Sequence, residues 1–128
     1  MSETEPREFT GKRILLILND PPYGTERTYN ALRLATSLLR KEGDLALRLF
    51  LQGDAAVAAK AGQEVPKGYY NIQLMLRSIT RRGGTVGVCG TCMDARGISD
   101  AELIEGTKRS SLDEVTEWTL WANKVISF

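Results

Sequence analysis

Apolar positions follow two rhythms along this chain. Arg13 to Asn19, R-I-L-L-I-L-N, is a continuous apolar run that ends in D-P-P-Y-G. A run of that kind, bounded by turn residues, reads as a strand buried on both faces. Pro21 and Pro22 prevent it from continuing as a central strand. From Thr25 the rhythm changes. Ala31, Leu32, Ala35, Leu38 and Leu39 recur at spacings of three and four, the apolar stripe of a helix that stops at Gly43.

Asp44 to Leu51 is a second strand, and Gly53-Asp54 opens an alanine-rich helix from Ala55 to Ala61. Gln63 to Gly68 is a loop. Tyr69 to Arg82 returns to helical spacing through Ile72, Met75, Leu76 and Ile79, and Gly83-Gly84 ends it. Thr85 to Val88 is a short β-branched strand, with a cysteine-bearing loop directly after it. Ser99 to Glu105 reads as a short helix capped by Ser99. Ser111 and Glu114 have capping-box spacing ahead of a helix carrying Val115, Trp118, Leu120 and Trp121. Lys124 to Phe128 is a final strand.

The pattern therefore gives four strands separated by helices. Strands that alternate with helices pair in parallel, because each return crosses over through a helix. The expected architecture is α/β: an open, mostly parallel sheet with helices on both faces, flavodoxin-like in its winding. Ligands of such folds bind at the carboxyl ends of the strands. N-D-P-P-Y-G and C-G-T-C are both expected at that end. Residues 1–11 read as a flexible tail and 12–128 as a single α/β domain.

Bulk charge removes some functions. Seventeen basic residues oppose sixteen acidic ones, a net charge of +1, so no nucleic-acid partner is expected. Arg81-Arg82 and Lys108-Arg109 read as solvated edges. The longest clean apolar run, Ile14 to Leu18, is far short of the roughly 20 residues of a membrane span. The polar start M-S-E-T-E-P-R-E lacks the features of a secretory signal. The expected compartment is the cytosol, where thiols stay reduced.

Chemistry concentrates in V-C-G-T-C-M-D-A-R-G, Val88 to Gly97, which holds both cysteines of a chain without histidine. Four readings compete. Cys89 and Cys92 could be small buried hydrophobes, though Gly87, Gly90 and Gly97 leave the backbone more open than a packed core needs. They could be half of a zinc site shared between two chains, since structural zinc takes four ligands. They could exchange disulfides in the manner of thioredoxin, although the pair comes late in the chain for that. Or one thiolate could accept and pass on sulfur as a persulfide, which needs a positive, partly exposed pocket but no imidazole.

Several further motifs occur in order: P-Y-G-T-E at 22–26, L-R-L-A at 32–35, L-R-L-F-L at 47–51 and G-Y-Y-N-I-Q-L-M-L at 68–76. C-G-T-C-M-D-A-R-G-I at 89–98 and W-T-L-W-A-N-K-V-I-S-F at 118–128 complete the set. With these the chain resembles the DsrE/DsrF-like sulfur-relay family, most closely its YchN-like branch. The resemblance implies a mostly parallel five-stranded sheet and cytosolic oligomers, a homo-oligomer here, hexamer or trimer. It implies a sulfur carrier or sulfurtransferase with donor and acceptor proteins as partners. Sulfur-relay members place the acceptor cysteine seven residues before the arginine of an Arg-Gly pair. Arg96-Gly97 puts that residue at Cys89.

Cys92 is an addition shared with the YchN-like branch. It could resolve the persulfide, or the pair could serve an oligomeric binding or redox-regulatory protein instead. Asn19, Tyr23, Thr91 and Arg96 are the candidate substrate-binding residues, with Arg96 expected to favour the Cys89 thiolate. Turn chemistry explains Asn19 and Asp20 equally well. Trp118 and Trp121 read as packing residues, with an oligomer interface as a further use. No metal or cofactor is expected.

Overall fold

The structure, a computed structural model, describes residues 11–41 and 43–128. The expected tail lies outside the described residues apart from Gly11. Five strands form one sheet: β1 (Lys12–Leu18), β2 (Leu45–Leu51), β3 (Thr85–Cys89), β4 (Thr107–Ser110) and β5 (Lys124–Ser127). Their spatial order is β4-β3-β2-β1-β5, and every neighbouring pair is parallel. The helices are α1 (Arg27–Lys41), α2 (Ile72–Arg81), α3 (Gly90–Ala95) and α4 (Leu112–Trp121). None is long and apolar enough to cross a membrane.

Strand alternation sorts the side chains into two layers. Ile14, Leu16 and Leu18 of β1, Leu47, Leu49 and Leu51 of β2, and Val86 and Val88 of β3 share one face with buried residues of α1, α2 and α3. Each fully buried leucine there contributes about 1.5–3 kcal/mol of transfer free energy. The opposite face is thinner: Leu15 and Phe50 pack against Val115 and Trp118 of α4, with Ile17, Cys89 and Ala122 at the margin. Helices thus cover both faces, three on one and one on the other.

Several elements differ from their expected form. The alanine segment is a 3₁₀ helix over Gly53–Ala59, with four of its alanines pressed into the main core. The helix expected from Tyr69 begins at Ile72, because Asn71 caps it by accepting from Leu74 N–H at 3.1 Å. The helix expected over Ser99–Glu105 is a single 3₁₀ turn, Asp100–Glu102, where the Glu102 carboxylate accepts from Ser99 N–H at 2.9 Å. β4 is the fifth strand that only the family resemblance supplied. Its sequence, T-K-R-S, offers no apolar signal, and as an edge strand it needs none.

At the start of α4, Ser111 Oγ accepts from Glu114 N–H at 3.1 Å. The Glu114 carboxylate accepts from Ser110 Oγ instead of returning to Ser111, so the capping box is half formed. Ser111→Ala is expected to cost about 1 kcal/mol. A urea midpoint unchanged from wild type would show that the cap carries no stability.

Candidate functional site

β3 ends at Cys89, and the chain turns at once into α3, so the expected cysteine loop is a helix with Cys92 in its first turn. Cys89 follows Gly87 on the α4 side of the sheet, whereas Cys92 packs towards the main core. The two thiols are both free and half-buried, and each acts on the titration of the other.

Their surroundings push them apart. Burial raises the Cys89 pKa, but hydrogen bonds from the Thr91 hydroxyl, from Cys92 and from the Cys92 and Thr91 amides outweigh it, and the net shift is downward. Thr91 Oγ lies 3.3 Å from Cys89 Sγ. For Cys92, burial and the hydrogen bond to Cys89 raise the pKa, against a smaller opposing effect of the Gly53 amide and Arg96; the net shift is upward. Gly53 N–H donates to Cys92 Sγ at 3.1 Å. Of the two, Cys89 is therefore the thiol that gives up its proton first, and Cys92 the one that keeps it longer.

Arg96 sits elsewhere than expected. Its Nη2 lies 2.8 Å from Asp54 Oδ1, and its Nη1 donates to Cys92 O at 3.1 Å. Its charge bears on Cys92, and the Cys89 thiolate is favoured by Thr91 and backbone amides instead. Thr91→Val should therefore slow alkylation of Cys89 at neutral pH by about two- to tenfold, the equivalent of one hydrogen bond. Arg96→Ala should leave that rate near wild type. The Cys89 rate should also climb at lower pH than the Cys92 rate, since its thiolate is populated first. Iodoacetamide kinetics against pH measure all three, and a Cys89 profile that responds to Arg96→Ala alone would reverse the assignment.

Asn19 and Tyr23 are held by other neighbours. Asn19 Nδ2 donates to Phe128 O at 2.9 Å and to Ser127 Oγ at 3.1 Å, and Asn19 Oδ1 accepts from Gln52 at 2.8 Å. Asn19 thus fastens the carboxyl ends of β1, β2 and β5. Tyr23 accepts from Ile72 N–H at 3.1 Å and packs with Tyr69 and Tyr70. Neither residue hydrogen-bonds to a cysteine among the described residues. Thr91 and Arg96 do adjoin the thiol pair.

Three residues at the site carried no signal by themselves. Gly53 has φ +57°, a left-handed conformation that favours glycine, and this aims its amide at Cys92. Asp54 anchors Arg96. Arg109 reaches from β4 over α3: it donates to Gly90 O at 3.1 Å and pairs with Asp94 at 3.0 Å and Asp100 at 2.6 Å. The pair Lys108-Arg109 lies exposed on the edge strand as expected, and Arg109 in addition straps the cysteine helix to the sheet. Its spacing to Asp94 and Asp100 could have signalled this only once β4 was known.

Sheet order and thiol placement together define a parallel α/β protein with a free thiol pair at the carboxyl end of an inner strand. The DsrE/DsrF-like family model matches residues 12–128, and the chain belongs to that family. YchN of Escherichia coli is 45% identical over 117 residues, covering 91% of this chain and 99% of its own. An uncharacterized protein of Methanopyrus kandleri is 34% identical, over 90% of this chain and 93% of its own. The crystal structure of the E. coli YchN protein superposes with a TM-score of 0.87 at 45% identity, covering 91% of this chain and 99% of that one. A Methanobacterium thermoautotrophicum protein of unknown function shares the fold at 12% identity, with a TM-score of 0.74 and coverage of 91% and 99%.

Proposed function

We propose that the protein is a cytosolic sulfur carrier or sulfurtransferase that accepts sulfur as a persulfide on Cys89. The observation that carries this is the opposed polarisation of the two thiols, Cys89 towards thiolate and Cys92 towards thiol. The Cys89 thiolate attacks the terminal sulfur of a donor persulfide. A new S–S bond forms on Cys89, the donor's S–S bond breaks, and the donor leaves as a thiolate. Release can follow by attack of Cys92 Sγ on Cys89 Sγ. That step forms the Cys89–Cys92 disulfide, expels hydrosulfide with the Cys92 proton, and needs a cellular dithiol to restore the reduced pair.

Intact mass after incubation with a cysteine desulfurase and cysteine tests the reading. The expected result is a gain of one sulfur atom that dithiothreitol removes. No gain, together with a two-hydrogen loss on oxidation, favours the second reading: a redox-regulatory protein that uses the same adjacent pair. Either role fits a homo-oligomer, hexameric or trimeric, because Leu120 is 82% exposed on α4 and Val125 is 43% exposed on β5. Light scattering at the 14.2 kDa of one chain would contradict assembly.

A further inference from the structure

Charge on this protein is segregated, and the net value hides it. Neither α1 nor α2 contains a carboxylate. The stretch from Asp94 to Glu117 carries seven, and two of them, Glu105 and Glu114, share a separate pocket with Arg77 and Arg81 of α2. α1 and α2 pack side by side. A groove of about 590 Å³ between them is lined by Arg33, Arg40 and Lys41 from α1, with Leu74 and Ser78 from α2. It continues past Leu74 and Ser78 into a second depression lined by Arg77, Arg81 and Arg82. Among the described residues none of these six cations forms an ion pair, in contrast to Arg96 and Arg109 at the thiol site. Arginine, five of the six, matches phosphate in both geometry and hydration.

At its other end the groove meets an aromatic wall. The Arg33 guanidinium lies 5.5 Å from the centre of the Tyr29 ring. Tyr29 stacks on Tyr70 at 4.2 Å, and Tyr70 stacks on Tyr69 at 4.7 Å. These three tyrosines, half of Tyr69 exposed, wall a cavity of about 520 Å³. Glu26 contributes a carboxylate to the same lining. P-Y-G-T-E and G-Y-Y-N, the motifs that build this wall, have no part in the thiol chemistry.

We infer that the α1–α2 groove and the adjoining tyrosine cavity bind single-stranded nucleic acid, with phosphates along the arginines and a base against the tyrosines. A cationic track beside stacked aromatic rings is the arrangement such ligands require. An acidic peptide would use the arginines and leave the tyrosine wall without a role. The inference is independent of the sulfur reading. It reverses the expectation drawn from net charge, which does not register that α1 and α2 carry cations without carboxylates.

Fluorescence anisotropy with labelled oligouridylate and oligothymidylate of about a dozen nucleotides tests it. Both should bind, with a log–log salt slope of about −2 to −3 for three or four phosphates. Arg33→Gln/Arg40→Gln/Arg77→Gln should lower affinity and flatten that slope, while Lys124→Gln on β5 should leave both unchanged. Tyr69→Ala, at a half-exposed ring, should weaken binding about tenfold at constant slope. Equal affinity for the two oligomers supports readout of backbone and base face, and preference for RNA supports the same site with added 2′-hydroxyl contacts. Absence of binding, or a slope untouched by the triple variant, overturns the inference. So does Tyr69→Ala binding as tightly as wild type while polyglutamate competes equally, a result that assigns the groove to an acidic protein.

Discussion

Cys89→Ser is expected to abolish sulfur uptake, and Cys92→Ser to retain it while slowing release. Cys89 is the last residue of β3, paired in register with Ser110 of β4, so the ladder fixes where its sulfur points. Its thiolate is held by donors that serine cannot exploit as a nucleophile at neutral pH. Cys92 is shifted the other way and is mostly protonated under the same conditions. Serine at 92 keeps a hydroxyl donor towards Cys89, so uptake survives, but it cannot form the disulfide that expels hydrosulfide. Intact mass reads uptake and a sulfide electrode reads release. Sulfur gain by Cys89→Ser at the wild-type rate would remove the nucleophile assignment.

The largest stability effect is expected at Trp118. It is buried, meets Phe50 edge-on at 6.4 Å, and carries the Arg48 guanidinium at 5.4 Å from its ring. The thin layer has few other large side chains, so nothing nearby can fill the space. Trp118→Ala should cost about 3–5 kcal/mol. Gly87 lies beneath the ring: a Cβ there would come within 2.9 Å of Trp118 Cη2 and 3.0 Å of Ser110 Cβ. Gly87→Ala alone should therefore destabilise by about 1–3 kcal/mol through overpacking. Combined with Trp118→Ala it should cost less than the sum, because the added methyl enters vacated space. Urea denaturation of the four proteins measures the coupling, and strict additivity would show that ring and glycine do not touch.

How far the sequence foretold these arrangements depended on what each element leaves in one dimension. β1 and β2 are buried on both faces, so their apolar runs announced them. The α1 stripe was equally plain. β4 left no trace, because T-K-R-S satisfies an edge position by backbone pairing alone. The cysteine pair stood out through spacing and through the absence of histidine. The field around it did not: Gly53 and Asp54 lie well over thirty residues earlier in the chain and reach Cys92 and Arg96 only through the order of the strands. The guanidinium expected at Cys89 was displaced for the same reason, since Asp54 offers Arg96 a partner that no local motif reveals. Net charge was the least informative quantity, because +1 describes equally an even surface and one whose cations cluster on two carboxylate-free helices.

The pairing of β1 with β5 has a consequence for synthesis. Ile14 to Ile17 bond on one side to β2 and on the other to residues 124–127. A growing chain can complete the first contact early, but it must carry the second edge of its most apolar strand bare until residues 124–127 leave the ribosome. An uncovered strand edge is a template for pairing with another chain. Any premature stop before Lys124 would make that exposure permanent, and the truncated product is expected to aggregate instead of persisting as a slightly smaller version of the fold.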